Sequence, residues 1–177
     1  MIFEEKTIDS EIVYKGPVFQ VRKHHVVTPG GDSYRDIVEH SGGSIMVAVT
    51  DEGKIIMEKQ YRKALEKGFL ELPAGKADPG EDAETTATRE LAEETGYTAS
   101  SVRRLTSFYP TCGYSNEYLS IYLCRGLTLG EKHWDKDECI EILEYDPDEL
   151  IDMIMTGEIE DSKTIIGILF ARQAGEI

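Results

Sequence analysis

At 177 residues, 40% apolar and 30% charged, the chain has the length and composition of a globular protein with one hydrophobic core and room for a small appendage, not of a disordered one. Its formal net charge of −15 argues against tight non-specific binding to nucleic acid or anionic membrane, which needs basic surface. A phosphate-bearing small molecule stays compatible, because metal ions reverse the local field of an acidic pocket. In chain order, residues 10–40 read as strands: Phe19 and Val21 alternate with polar neighbours, Thr28-Pro-Gly-Gly-Asp32 is a turn, and Tyr34–His40 resumes an extended pattern. Ile45–Val49 is a buried strand closed by the turn Asp51-Glu-Gly53, with Ile55–Tyr61 as its hairpin partner, and Phe69–Leu72 is a short strand leading into Pro73-Ala74-Gly75.

A helix is predicted from near Glu81 to Gly96, with Glu81, Asp82 and Glu84 in its first turn, where the helix dipole favours acids. Strands follow at Val102–Tyr109, Glu117–Cys124 and Cys139–Tyr145. One closing helix follows Asp146-Pro147, carries Leu150, Ile151 and Ile154, and stops at Gly157. The last runs from Asp161 to Gln173 with Ile165, Ile168 and Leu169 as its apolar side. Strands interleaved with three helices imply an α/β sandwich, a sheet with helices on both faces. Cys112, Cys124 and Cys139 are odd in number and show no CxxC spacing, which favours a reducing cytosol over a disulfide scaffold or zinc site. The acidic start Met1–Lys6 lacks the apolar segment of a secretory signal, and no apolar run approaches a membrane span, so the expected location is cytoplasmic.

The chemistry concentrates between Gly75 and Tyr97. At roughly 100° per residue, Glu90, Glu93 and Glu94 share one side of the helix, beside its apolar stripe of Ala83, Ala87 and Leu91. Glu90 and Glu94 therefore point toward the protein body, where bare carboxylates are costly. Three converging negative groups call for a cation, and a hard divalent metal is the natural candidate.

The same segment resembles the Nudix box, G-x5-E-x7-R-E-U-x-E-E-x-G-U with U a bulky apolar residue. Gly75, Glu81, Arg89, Glu90, Leu91, Glu93, Glu94 and Gly96 fill its specified places, and Tyr97 stands where an aliphatic residue is more common. The resemblance implies a Nudix-type α/β/α sandwich of mixed sheet over residues 41–177. Residues 1–40 would then form an N-terminal antiparallel β subdomain of the kind that ADP-ribose pyrophosphatase-like members use to dimerise. It further implies that Glu90, Glu93 and Glu94 bind two to three Mg2+ or Mn2+ ions with a backbone carbonyl at Ala74, while Arg89 orients the carboxylates through Glu81.

By the same resemblance, Arg62 stands where related sequences place a substrate-contacting arginine, and a guanidinium suits a pyrophosphate. Arg35 and Glu39 are candidates for the base or terminal-sugar pocket. Asp137-Glu138-Cys139-Ile140-Glu141 resembles the place that supplies the general base, with Glu138 the first choice, Glu141 the runner-up and a box glutamate the remaining option. Thr111-Cys112-Gly113 replaces the Ser-Pro-Gly of ADP-ribose pyrophosphatases, so Gly113 enters as a substrate contact while Cys112 leaves the preferred sugar open. The implied activity is metal-dependent hydrolysis of the pyrophosphate bond of ADP-ribose or a related nucleoside diphosphate sugar, giving a nucleoside monophosphate and a sugar phosphate. A dinucleoside polyphosphate, a damaged nucleotide or a non-catalytic sensor role are the alternatives. The implied partners are the small-molecule substrate and a second copy of the chain, with neither nucleic acid nor membrane.

Overall fold

The computed structural model describes residues 2–130 and 139–177. It divides into two units: Met1–Gly42 with Tyr109–Tyr118, and Gly43–Phe108 with Leu119–Ile177.

The first unit is an antiparallel sheet of β1 (Thr7–Lys15), β2 (Phe19–Thr28) and β3 (Gly31–His40), with β2 in the middle. Thr28 pairs with Gly31, so Pro29-Gly30 makes a two-residue turn. Thr28 Oγ1 donates to the Gly31 carbonyl at 2.7 Å and accepts from Gly30 N–H at 3.3 Å. The expected turn is there, and the Thr28 hydroxyl satisfies the backbone groups that the reversal leaves free. Every residue of β1 is exposed, Ile8, Ile12, Val13 and Tyr14 included. The segment Tyr109–Tyr118 docks on β3, where Val38 N–H donates to the Tyr114 carbonyl at 2.8 Å and Asn116 N–H to the Val38 carbonyl at 3.1 Å.

The second unit holds two sheets. One is the mixed sheet β7-β4-β9-β8, built from β4 (Gly43–Ala48), β7 (Ala74–Lys76), β8 (Tyr97–Phe108) and β9 (Leu119–Leu129), with β4 and β9 parallel. The other is antiparallel, with β5 (Ile55–Arg62) between β10 (Glu141–Tyr145) and β6 (Lys67–Glu71). The helices are α1 (Ala83–Glu90), continued by a π-helical turn over Leu91–Thr95, then α2 (Pro147–Thr156) and α3 (Ser162–Gln173). Successive residues of β4 feed opposite cores. Met46 and Ala48 meet Ala87 and Leu91 of the first helix, whereas Ile45 and Val47 join Leu72, Leu150 and Ile168. That alternation is why Ile45–Val49 reads as an unbroken apolar run: the strand is buried on both faces. The α/β/α arrangement agrees with the expectation.

Some details differ from it, β8 starting before Val102 and β9 running past Cys124 among them. Ile55–Tyr61 is not the hairpin partner of β4. The two strands share only a Val49–Ile55 bridge, and β4 instead pairs with β7 and β9. A turn signal specifies a reversal, while burial on both faces sends β4 to the interior of the mixed sheet. Leu169 is not on the core side of α3. It is exposed, and the buried positions are Thr164, Gly167, Ile168 and Ala171. Small residues there let the helix lie close to the sheet: a Cβ added at Gly167 would come within 2.6 Å of Leu72 Cδ1. Finally, the helix expected near Glu81 starts at Ala83, with Asp82 as N-cap accepting from Thr85 N–H at 2.8 Å.

No helix among the described residues is long and apolar enough to cross a membrane.

Candidate active site

The box segment folds as its composition dictates at both ends. Asp82 caps the start, and Gly96 ends the π turn at φ 79°, a left-handed conformation in which a side chain is strained. Between them the acids take three environments. Glu94 is buried, Glu90 is nearly so, and Glu93 is half-exposed at 43% of its side chain. The expectation that Glu90 and Glu94 turn inward is met.

Arg89 is the organising cation. Its Nε and Nη2 donate to Glu81 Oε1 and Oε2 at 3.0 and 2.9 Å, a two-pronged pairing. Nη1 lies 2.9 Å from Glu90 Oε1 and donates to Glu93 Oε2 at 2.8 Å, and Nη2 also reaches the Lys76 carbonyl at 3.1 Å. Glu81 further accepts from Thr86 Oγ1 at 2.9 Å and Asp78 N–H at 3.2 Å. The Arg89 hydrogen bonds above all hold the Glu81 carboxyl down to about 2. Those same bonds raise the Arg89 guanidinium above its ordinary value. Arg89 thus contacts three carboxylates at once, with Glu81 as its two-pronged partner.

Gly75 is required by contact, not by its backbone angle. A Cβ built there would sit 1.8 Å from Glu90 Cδ and 2.2 Å from Glu90 Oε1, so only glycine lets Glu90 lie against the loop. One residue earlier, Ala74 N–H donates to Glu94 Oε2 at 3.0 Å. The loop and the helix are thus joined through Glu90 on one side and Glu94 on the other.

These residues suit a divalent cation in kind. The donors are carboxylate oxygens, the ligands hard cations prefer, and one arginine serves three glutamates with Glu94 beside them. Among the described residues no three such groups converge on one point. Glu90 and Glu93 share Arg89 Nη1, and Glu94 faces Ala74. The arrangement is a set of donors held close together, not a finished coordination sphere.

Arg62, at the end of β5, donates through Nε and Nη2 to Glu71 Oε1 and Oε2 at 2.8 and 2.7 Å, and its side chain remains 40% exposed. Glu71 is buried and also accepts from Lys163 Nζ. Burial alone would raise the Glu71 carboxyl, but Arg62 and Lys163 outweigh it and leave it below the ordinary carboxylate range. Sequence reasoning passed over Glu71, although an acid inside the apolar strand Phe69-Leu-Glu-Leu72 is itself a signal of a buried partner.

The other candidates lie as follows. Arg35 pairs with Glu5, its Nε donating at 2.9 Å, and Glu39 accepts from Arg22 Nε at 2.8 Å and from Gln20. Gly113 lies in a turn with open space around it, and that turn belongs to the segment docked beside Glu39 on β3. Glu141 begins β10 opposite Lys59 and is exposed. Glu138 lies outside the described residues.

Comparison with known proteins supplies the family. Residues 40–165 match the NUDIX domain model, and residues 5–36 match the nucleoside diphosphate sugar hydrolase N-terminal domain. The chain belongs to the Nudix family. It is similar to an ADP-ribose pyrophosphatase of Bacillus subtilis (strain 168), with 42% identity over 94% of this chain and 92% of that one. It is also similar to a methanol dehydrogenase activator of Bacillus methanolicus, with 41% identity over 96% and 93% of the two chains. A crystal structure of an ADP compounds hydrolase superposes with a TM-score of 0.87 over 100% of this chain and 99% of its own, at 18% identity, which shows the fold.

Proposed function

We propose that this chain hydrolyses the pyrophosphate bond of a nucleoside diphosphate sugar, with ADP-ribose as the leading substrate, giving AMP and ribose 5-phosphate. The observation that carries the reading is the box itself: Glu81, Glu90 and Glu93 gathered on Arg89, with Glu94 and Gly75 closing it against the Ala74 loop. Glu90, Glu93 and Glu94, with the Ala74 carbonyl, would hold two to three Mg2+ or Mn2+ ions. When bound, these ions supply charge neutralisation on the diphosphate and acidify the attacking water. Arg89 sets the carboxylates in place. Glu138 accepts the proton of the water, with Glu141 as second choice. Arg62 contacts the diphosphate from the part of its guanidinium that Glu71 leaves open. Arg35, Glu39 and Gly113 recognise the base or the terminal sugar.

The exposed apolar residues of β1 favour a homodimer formed through the N-terminal strands, since a partly apolar edge strand is a ready interface. A cytoplasmic location follows from the cysteine pattern.

The test is a panel of ADP-ribose, ADP-glucose, GDP-mannose, a dinucleoside polyphosphate and nucleoside triphosphates. Each is incubated with Mg2+ or Mn2+, and phosphate is read after added phosphatase. ADP-ribose is expected to turn over fastest. If triphosphates lead, the substrate class is wrong. The similarity to the methanol dehydrogenase activator supports one further arm, in which the chain is added to a methanol dehydrogenase and its rate is followed.

A further inference from the structure

The stretch Glu71–Gly75 is held at five consecutive residues, each by a different contact. Glu71 accepts from Arg62 and Lys163. Leu72 N–H donates to Thr164 Oγ1 at 2.9 Å, a bond buried from solvent. The Pro73 carbonyl accepts from Met46 N–H at 2.9 Å. Ala74 N–H reaches Glu94, and Gly75 accommodates Glu90. The holds from Lys163 and Thr164 come from the start of α3, more than ninety residues away in sequence.

Asp161 organises that end. Its Oδ2 accepts from Thr164 N–H at 3.0 Å, from Thr164 Oγ1 at 2.6 Å and from Lys163 Nζ at 2.9 Å. The Thr164 hydroxyl has one proton, and it goes to Asp161. The oxygen is therefore turned to accept from Leu72, and the N-cap fixes the direction of the bond. Lys163 bridges Asp161 and Glu71. An N-cap needs only Asp161, and helix packing needs only the apolar contacts of Gly167 and Ile168. Burying Glu71 with two cations is costly compared with an apolar replacement, so fold stability alone does not account for it. What the cluster provides is register. It leaves Glu71-Leu72 no freedom to slide, and Pro73 transmits that position through a backbone with fixed φ.

We infer that Asp161, Lys163 and Thr164 are positioning residues for the box: through Glu71 and the Leu72 amide they set where the Ala74 backbone stands against Glu94. The inference rests on the box being a divalent-cation site, as proposed above, and adds a remote determinant to it. Partners that orient ligands from outside the coordination shell typically change metal affinity by about 10–100-fold.

The test uses the purified full chain. Mn2+ affinity is measured from the EPR signal of the free ion, kcat and KM from ADP-ribose turnover, and Tm by thermal unfolding. Thr164→Val keeps the shape and removes the acceptor. It is expected to weaken Mn2+ binding about tenfold and to lower kcat with little change in KM, and Thr164→Ser is expected to restore both. Ile168→Val, on the same helix, lowers Tm while leaving Mn2+ affinity as in the wild type. Wild-type Mn2+ affinity and kcat in Thr164→Val overturn the inference, as does a parallel loss of affinity in Ile168→Val. If Thr164→Val does not fold, Asp161→Asn is read by the same criteria. Absence of any nucleotide-sugar turnover by the wild type defeats the substrate reading, and the Mn2+ measurement then still decides the positioning role.

Discussion

Two arginine–glutamate clusters sit close together in the second unit, and they differ in charge balance. Around Arg89, one cation serves Glu81, Glu90 and Glu93, with Glu94 alongside. Around Glu71, two cations, Arg62 and Lys163, answer Glu71 and Asp161, with fully buried Glu58 on the adjoining strand position. The first cluster carries surplus negative charge at a partly open edge, and that surplus is what a divalent ion would neutralise. The second is closer to balance and more deeply buried, and its strength goes into holding backbone. Both contain an arginine gripping a glutamate with two prongs, so the motif alone does not tell a ligand site from a brace. The local excess of acid does.

The largest effect that separates the two clusters is expected from Glu94→Gln. Turnover should fall beyond the ~100-fold typical of changes to outer-shell partners, with the far-ultraviolet circular dichroism unchanged. Near wild-type activity in that variant would remove the metal assignment. Gly75→Ala comes next. The added methyl collides with the Glu90 carboxyl, so metal affinity and kcat should drop by about 10–100-fold while Tm moves little, as checked by calorimetry beside turnover.

Arg62→Met should show the opposite signature in stability. It leaves buried Glu71 with Lys163 alone, and up to about 3 kcal/mol should be lost. In a chain of this length that is a fall in Tm of roughly 6–12 °C. A rise in KM for ADP-ribose beyond what Arg62→Lys gives would show that the arginine also meets substrate. A Tm unchanged by Arg62→Met would end the brace description.

The smallest effect is pH-dependent. The Glu81 carboxyl lies at about 2 in the folded protein against an ordinary value of 4.5, so the folded state binds fewer protons between those values. Its contribution is complete above the ordinary value and is lost as pH falls toward 2. The gap in Tm between wild type and Glu81→Gln should therefore be constant near neutrality and close below about pH 4.5. A gap that widens in acid would contradict the assignment.

Much of the box was legible because it is local. Helical spacing alone turns Glu90 and Glu94 inward, and caps such as Asp82, Asp146 and Asp161 act within a few residues. The turn at Pro29-Gly30 and the helix stops at Gly96 and Gly157 belong to the same kind of information. The pairing of β4 was not legible, because an apolar run says that a strand is buried without naming its neighbours. Nor was the exposure of Leu169, since the face of α3 is chosen by what Gly167 can approach. The π turn also left no mark in the periodicity of so short a helix.

The amino-acid order by itself determined the spacing of glutamates around Arg89, and with it the family and the class of chemistry, because those contacts span at most one loop and one helix. The tertiary structure alone decided that Gly75 makes room for Glu90, that Glu71 joins Arg62 to Lys163, and that Thr164 holds the Leu72 amide. The last two contacts close 92 residues of chain. Hydrogen bonds at that separation depend on how sheets and helices pack, and packing is a property of the whole core that no local pattern encodes.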